Sequence, residues 1–142
     1  MGVDILDLTA SDKIIEVDHA VDDKLREAYE KRLGENLLIE SRTAWSFMPK
    51  AFNVFIDVED DVMAQRLFNS DRGGVERGES LEDAKNRVLT RYNNDVQRYK
   101  KIYNIDCSRL ENYNLVIDNS SLTPEETADK IYAEYLKFIK KQ

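Results

Sequence analysis

Apolar residues recur along the chain in two rhythms. From Ser11 to Leu33 the positions Ile14, Ile15, Val21, Leu25, Ala28 and Tyr29 follow helical steps, with Ser11 as an N-cap and Gly34 just past the end. This stretch forms either one helix or two joined by a bend. Leu37-Leu38-Ile39, Val54-Phe55-Ile56 and Leu115-Val116-Ile117 are instead short continuous apolar runs, the habit of strands covered on both faces of a parallel sheet. Glu59 to about Asn69 returns to helical spacing through Val62, Met63 and Leu67. Ser80 to about Asn104 does so through Leu81, Ala84, Val88, Tyr92, Val96, Tyr99 and Tyr103. A last helix opens on Thr123-Pro124-Glu125-Glu126, a capping box with proline at the first helical position, and places Ala128, Ile131, Tyr135 and Ile139 inward. Alternating strands and helices make the class α/β with a parallel sheet.

Between the second and third helices the pattern stops. Asn69 to Ser80 holds three of the chain's five glycines, together with Arg72 and Arg77, and one apolar side chain, Val75. Such a segment is either a solvated connector or an arginine-bearing loop able to close over a phosphate. No repeat, low-complexity tract or linker divides the 142 residues, which predict a single domain.

Charge sharpens this picture. The net charge of −7 argues against binding a nucleic-acid polymer. It is uneven, however: residues 62–101 carry nine Lys and Arg against six acids, and residues 1–30 carry three against nine. A basic stretch in an acidic chain suits a small anionic ligand or a solvated helix face. No apolar run approaches the roughly 20 residues of a membrane span. The single cysteine, Cys107, leaves no internal disulfide, so a reducing, cytoplasmic setting and a packed thiol are expected.

Two places carry candidate chemistry. Arg42 follows the run Leu37-Leu38-Ile39, at the carboxyl end of an expected strand, where open α/β sheets bind ligands. Its planar fork suits phosphate oxygens, and an ion pair with Glu40 is the plainer alternative. On the Ser80 helix, Arg87, Arg91, Asp95 and Arg98 follow at steps of four, four and three and share one face. That face either holds an anion or is ordinary ion-pair decoration. His19, in an acidic helical stretch, is expected at the surface. Trp45 and Phe47 are expected as core or pocket wall.

Several segments, in order, resemble a known family. Leu37 to Pro49, with Ser41-Arg42-Thr43, is similar to the substrate-binding strand and loop of the cytidylate kinase-type nucleoside monophosphate kinases. Phe52 to Val58 resembles their next strand, with the helix around Arg66 following. Arg91-Tyr92-Asn93-Asn94-Asp95-Val96-Gln97-Arg98 resembles their Arg-x3-Asp-x2-Arg helix, and Tyr99 to Asp106 the run that follows it in shorter, archaeal-type members. Tyr113 to Ser120 and Leu122 to Glu126 resemble the last strand and helix. The resemblance implies a three-layer P-loop NTPase-like fold and transfer of the γ-phosphoryl group of Mg-ATP to CMP or dCMP. In it, Arg42 and Arg98 hold the acceptor phosphate, while Arg91 and Asp95 address the sugar. The loop at about 69–80 is a lid whose Arg72 and Arg77 neutralise the transferring group.

Two departures qualify it. Ser41 and Thr43 replace a Gly and an Asp of the longer bacterial members, where that Asp helps read cytosine. No G-x-x-x-x-G-K-[ST] motif occurs, since none of Gly2, Gly34, Gly73, Gly74 and Gly78 precedes a lysine, so no P-loop in this chain binds ATP. The resemblance places the missing strand between those matched by Leu37–Glu40 and Val54–Asp57, and two neighbours of a missing strand would expose unpaired backbone groups. The expectation is a single partial domain over residues 1–142: a truncated form of a longer protein, or one completed by a partner chain or by homo-oligomerisation. The alternative is a non-catalytic nucleotide-binding or assembly module on the same fold.

Overall fold

The computed structural model describes residues 13–32, 35–70 and 79–141. Ser11, Gly34 and the 71–78 stretch, with Arg72 and Arg77, lie outside the described residues. Four helices and two strands are present among them: α1 (Lys13–Lys31), β1 (Val54–Asp57), α2 (Asp60–Phe68), α3 (Leu81–Tyr103), β2 (Leu115–Asp118) and α4 (Pro124–Ile139). Short 3-10 turns occur at Ala44–Ser46 and Leu110–Asn112. The chain is α/β, as its rhythms predict, and β1 and β2 pair in parallel, with Val54 opposite Leu115 and Asp57 opposite Asp118.

The described residues divide into two compact units. The first joins those up to Pro49 with Leu89–Ser108, hence α1, the Ala44–Ser46 turn and most of α3. The second comprises the described parts of Lys50–Val88 and Arg109–Gln142, with both strands, α2, α4 and the start of α3.

In the second unit, α4 packs on β2, and Phe52 meets Tyr135 and Phe138 at ring separations of 5.9 and 5.1 Å. Ile117 is buried, whereas Ile56 and Val116 lie open to solvent. The expected covering of these runs on both faces is therefore not found. Continuous apolar runs do not say which neighbours will be present to cover them. Arg66 of α2 closes the turn after β2, donating to the Asn119 carbonyl at 2.9 Å, its side-chain oxygen at 3.1 Å and the Ser120 carbonyl at 3.2 Å.

The third expected strand is also absent: residues 36–40 form no ladder, and Leu38 is 102% exposed. Strand propensity at Leu37-Leu38-Ile39 is not enough, because a strand exists only through hydrogen bonds to a neighbour.

The helix boundaries follow local chemistry. Ser80 Oγ accepts from the Asp83 N–H at 3.1 Å and starts α3. Asn104, at φ 55°, ends it, a left-handed position that asparagine tolerates better than most residues. At α4 the capping box is complete: Thr123 Oγ1 accepts from the Glu126 N–H at 3.1 Å, and Glu126 Oε2 accepts from the Thr123 N–H at 2.8 Å. Thr123→Ala is expected to cost about 1 kcal/mol in urea unfolding.

The same cap fixes a pH dependence. The bonds from the Thr123 backbone and side chain hold the Glu126 carboxyl below its ordinary 4.5. Its contribution is therefore full above that ordinary value and is lost as the pH falls through the lower folded value. The stability difference between the parent and Glu126→Gln should shrink as the buffer is taken from about pH 6 to about pH 3. A difference that stays constant would mean the carboxylate charge contributes nothing.

Candidate functional site

The first unit contains a buried polar cluster built from three pieces of chain. α3 supplies Asp95 and Arg98, three residues apart and so on one face. α1 supplies Asp18 and Asp22, four apart. The segment 41–48 supplies Arg42 and Thr43.

Asp95 stands at the centre, 1% exposed. It takes the Arg98 Nη2 at 2.7 Å on one oxygen and pairs with the Arg42 guanidinium through the other. Arg98, 8% exposed, also donates its Nε to Asp18 Oδ2 at 2.5 Å, and its guanidinium carbon lies 4.9 Å from the Tyr99 ring centre. Arg42 differs from both, since its side chain is 46% exposed. Among the described residues of this chain of ion pairs, it is the one open to a solvent-borne ligand while still held by a buried carboxylate. Arg91 is half-buried on the same helix face.

The loop that carries Arg42 is pinned by hydroxyls. Ser41 Oγ accepts from the N–H groups of Thr43 and Ala44, both at 3.1 Å. Thr43 Oγ1 donates its only proton to buried Asp22 at 2.6 Å. The 3.1 Å contact between the Ser41 and Thr43 hydroxyls therefore has Ser41 as donor. The two departures from the bacterial pattern thus form a relay from Ser41 through Thr43 to Asp22. An aspartate at 43 would set a second carboxylate against Asp22; threonine supplies the donor that this buried carboxylate needs. Trp45 Nε1 ties back to the Arg42 carbonyl at 3.1 Å, and Arg26 lies 4.5 Å over the Phe47 ring.

Aromatic residues close the cluster. Tyr99 and Tyr103 stack at 6.3 Å, and His19, exposed as expected, meets Tyr103 edge-on at 5.1 Å. Burial, then the Asp22 carboxylate, pushes the Tyr103 phenol well above its ordinary value. Burial, helped by Asp18, also raises the Tyr99 phenol. Cys107 is a buried thiol held up by the same desolvation, a packed side chain as expected.

Of the sequence-predicted site residues, Arg42, Asp95 and Arg98 come together directly, Arg91 shares their helix face, and Arg72 and Arg77 lie outside the described residues. Asp18 and Asp22 are the members missed. The expected inward positions Val21 and Ala28 face solvent, and the inward stripe of α1 instead runs through Ile14, Asp18, Asp22, Leu25 and Tyr29. Two acids spaced four apart, in line with apolar neighbours, were the available signal.

The same geometry bears on a metal and on membranes. Among the described residues no group of three or more His, Cys, Asp and Glu is placed to hold a metal ion. Asp118, beside Asp57 in the sheet register, is already engaged by the Ser120 hydroxyl and N–H, which hold its carboxyl below the ordinary range. No helix among the described residues is long and apolar enough to cross a membrane.

The model of the cytidylate kinase-like family matches residues 4–121. The chain belongs to the cytidylate kinase-like family. The cytidylate kinase of Pyrobaculum arsenaticum is 32% identical over 126 residues, covering 87% of this chain and 64% of its own length. That of Methanosphaera stadtmanae is 27% identical over 115 residues, 81% of this chain and 62% of its own. The S-adenosylmethionine-dependent nucleotide dehydratase of Lacinutrix mariniflava is 32% identical over 123 residues, 86% of this chain but 24% of that protein. The chain thus spans about a quarter of the dehydratase and under two thirds of these two family kinases. No solved structure shows a significant match.

Proposed function

We propose that the first unit is the acceptor site of a cytidylate kinase, binding the phosphate of CMP or dCMP. The observation that carries this is Arg42, a half-exposed guanidinium held in place by a fully buried carboxylate. That is how a site preorganises a phosphate grip without collapsing onto it. Arg42 grips the phosphate oxygens, Arg98 joins it, Arg91 addresses the sugar, and Asp95, buried between the two guanidiniums, helps position the phosphate by orienting them.

In the complete enzyme Mg-ATP supplies the phosphoryl group, and Arg72 and Arg77 of the lid at about 69–80 neutralise its charge. The 142 residues contain no P-loop, so this partial P-loop-type domain depends on other residues for the ATP cradle. A partner chain or a second copy would complete the sheet, and the cytoplasm is the proposed location. On its own the chain turns over little or no CMP.

A second reading has its own observation: the match to the dehydratase is confined to 24% of that protein. The same kind of domain then serves as a non-catalytic nucleotide-binding module within larger assemblies.

Calorimetric titration of the purified chain with CMP, dCMP, UMP and AMP, beside an ATP-coupled phosphotransfer assay, tests both. Binding of CMP or dCMP without turnover is expected. Absence of any monophosphate binding would sink the acceptor-site assignment. Robust turnover by the chain alone would refute the need for an external ATP cradle.

A further inference from the structure

Asp18 occupies the position that the acceptor-site reading reserves for an anion. Arg98 has two donor edges, and the Nε donor is taken by Asp18 at 2.5 Å, with 15% of the Asp18 side chain exposed. A carboxylate held there uses the same charge-assisted bond that a phosphate oxygen would use. Among the described residues the acids of this cluster are Asp18, Asp22 and Asp95. Asp22 is committed to the Thr43 hydroxyl and Asp95 is locked between two guanidiniums. Asp18 is attached to the cluster through Arg98, sits on a different helix and is the least buried of the three acids. A phosphate dianion entering this buried cluster is opposed by the Asp18 carboxylate, which already holds the Arg98 Nε.

We infer that Asp18 is an internal counter-anion that the acceptor phosphate displaces from Arg98, and that it determines how strongly the site takes an anionic ligand. This rests on the acceptor-site reading. Displacement exchanges one bond on Arg98 for another, so affinity reflects the difference between the two. A neutral ligand such as a nucleoside does not contest Arg98 and is indifferent to Asp18.

The test is calorimetry on the whole chain with CMP, cytidine and inorganic phosphate. Asp18→Asn keeps an oxygen to accept from Arg98 Nε while removing the charge, and Asp18→Ser is a second, smaller replacement. Both variants are expected to bind CMP about tenfold more tightly than the parent and phosphate more tightly too, with cytidine unchanged. Equal or weaker CMP binding in the folded variants, with the parent binding normally, overturns the inference and leaves the acceptor site standing. Failure of the parent and both variants alike to bind CMP or phosphate overturns the acceptor-site reading and this inference with it.

Discussion

Asp95→Ala should lower the stability of the chain by about 3–5 kcal/mol, the usual result of removing one partner from a buried ion pair. Asp95 is 1% exposed and stands between two guanidiniums, one of which, Arg98, is itself buried. Without it, Arg98 keeps Asp18 but loses its Nη2 acceptor, and Arg42 is left beside a like charge. Asp95→Asn should cost less, since it retains an acceptor oxygen, though it still leaves two positive charges near each other. Urea unfolding of the three proteins, compared at equal slope, gives the values. A loss below about 1 kcal/mol for the alanine variant would mean that water replaces the carboxylate, and that the cluster is surface decoration after all.

Arg42→Ala should separate binding from folding. Its partner carboxylate keeps Arg98, and its own side chain is 46% exposed, so solvent screening limits the stability cost to about 1 kcal/mol or less. If Arg42 grips the acceptor phosphate, CMP affinity should fall by about 10- to 100-fold, the range of a lost charge-assisted contact. Arg98→Ala should do the reverse in proportion. It leaves Asp18 and Asp95 buried without their shared guanidinium, so its stability loss should exceed that of Arg42→Ala. Parallel calorimetry and urea unfolding on both variants decide the matter. If Arg42→Ala binds CMP as well as the parent, Arg42 is not the phosphate grip.

Much of the local architecture was readable residue by residue. The capping box at Thr123–Glu126 appears as expected, because its bonds lie within four residues of each other. The start of α3 at Ser80 and its end at Asn104 are equally local. The step pattern of Arg87, Arg91, Asp95 and Arg98 placed them on one face, but it left open whether that face is solvated or buried. The structure answers for Asp95 and Arg98: they are among the most buried side chains described. Helical spacing fixes which residues share a face, and it carries no information on what lies opposite.

That boundary separates what the sequence determined from what only the tertiary structure decided. The sequence determined the α/β class, the ends of α3 and the start of α4, the α3 constellation and the family resemblance, because each depends on residue identity at short range or on motifs in order. The tertiary structure decided that Asp18 and Asp22 turn inward, that Ser41 and Thr43 become a hydroxyl relay, and that Leu37-Leu38-Ile39 forms no strand. Each of those depends on a partner tens of residues away, or on the lack of one among the described residues. A carboxylate turns inward where a guanidinium or hydroxyl is brought to meet it, and an apolar run becomes a strand where a second backbone lies alongside to pair with it.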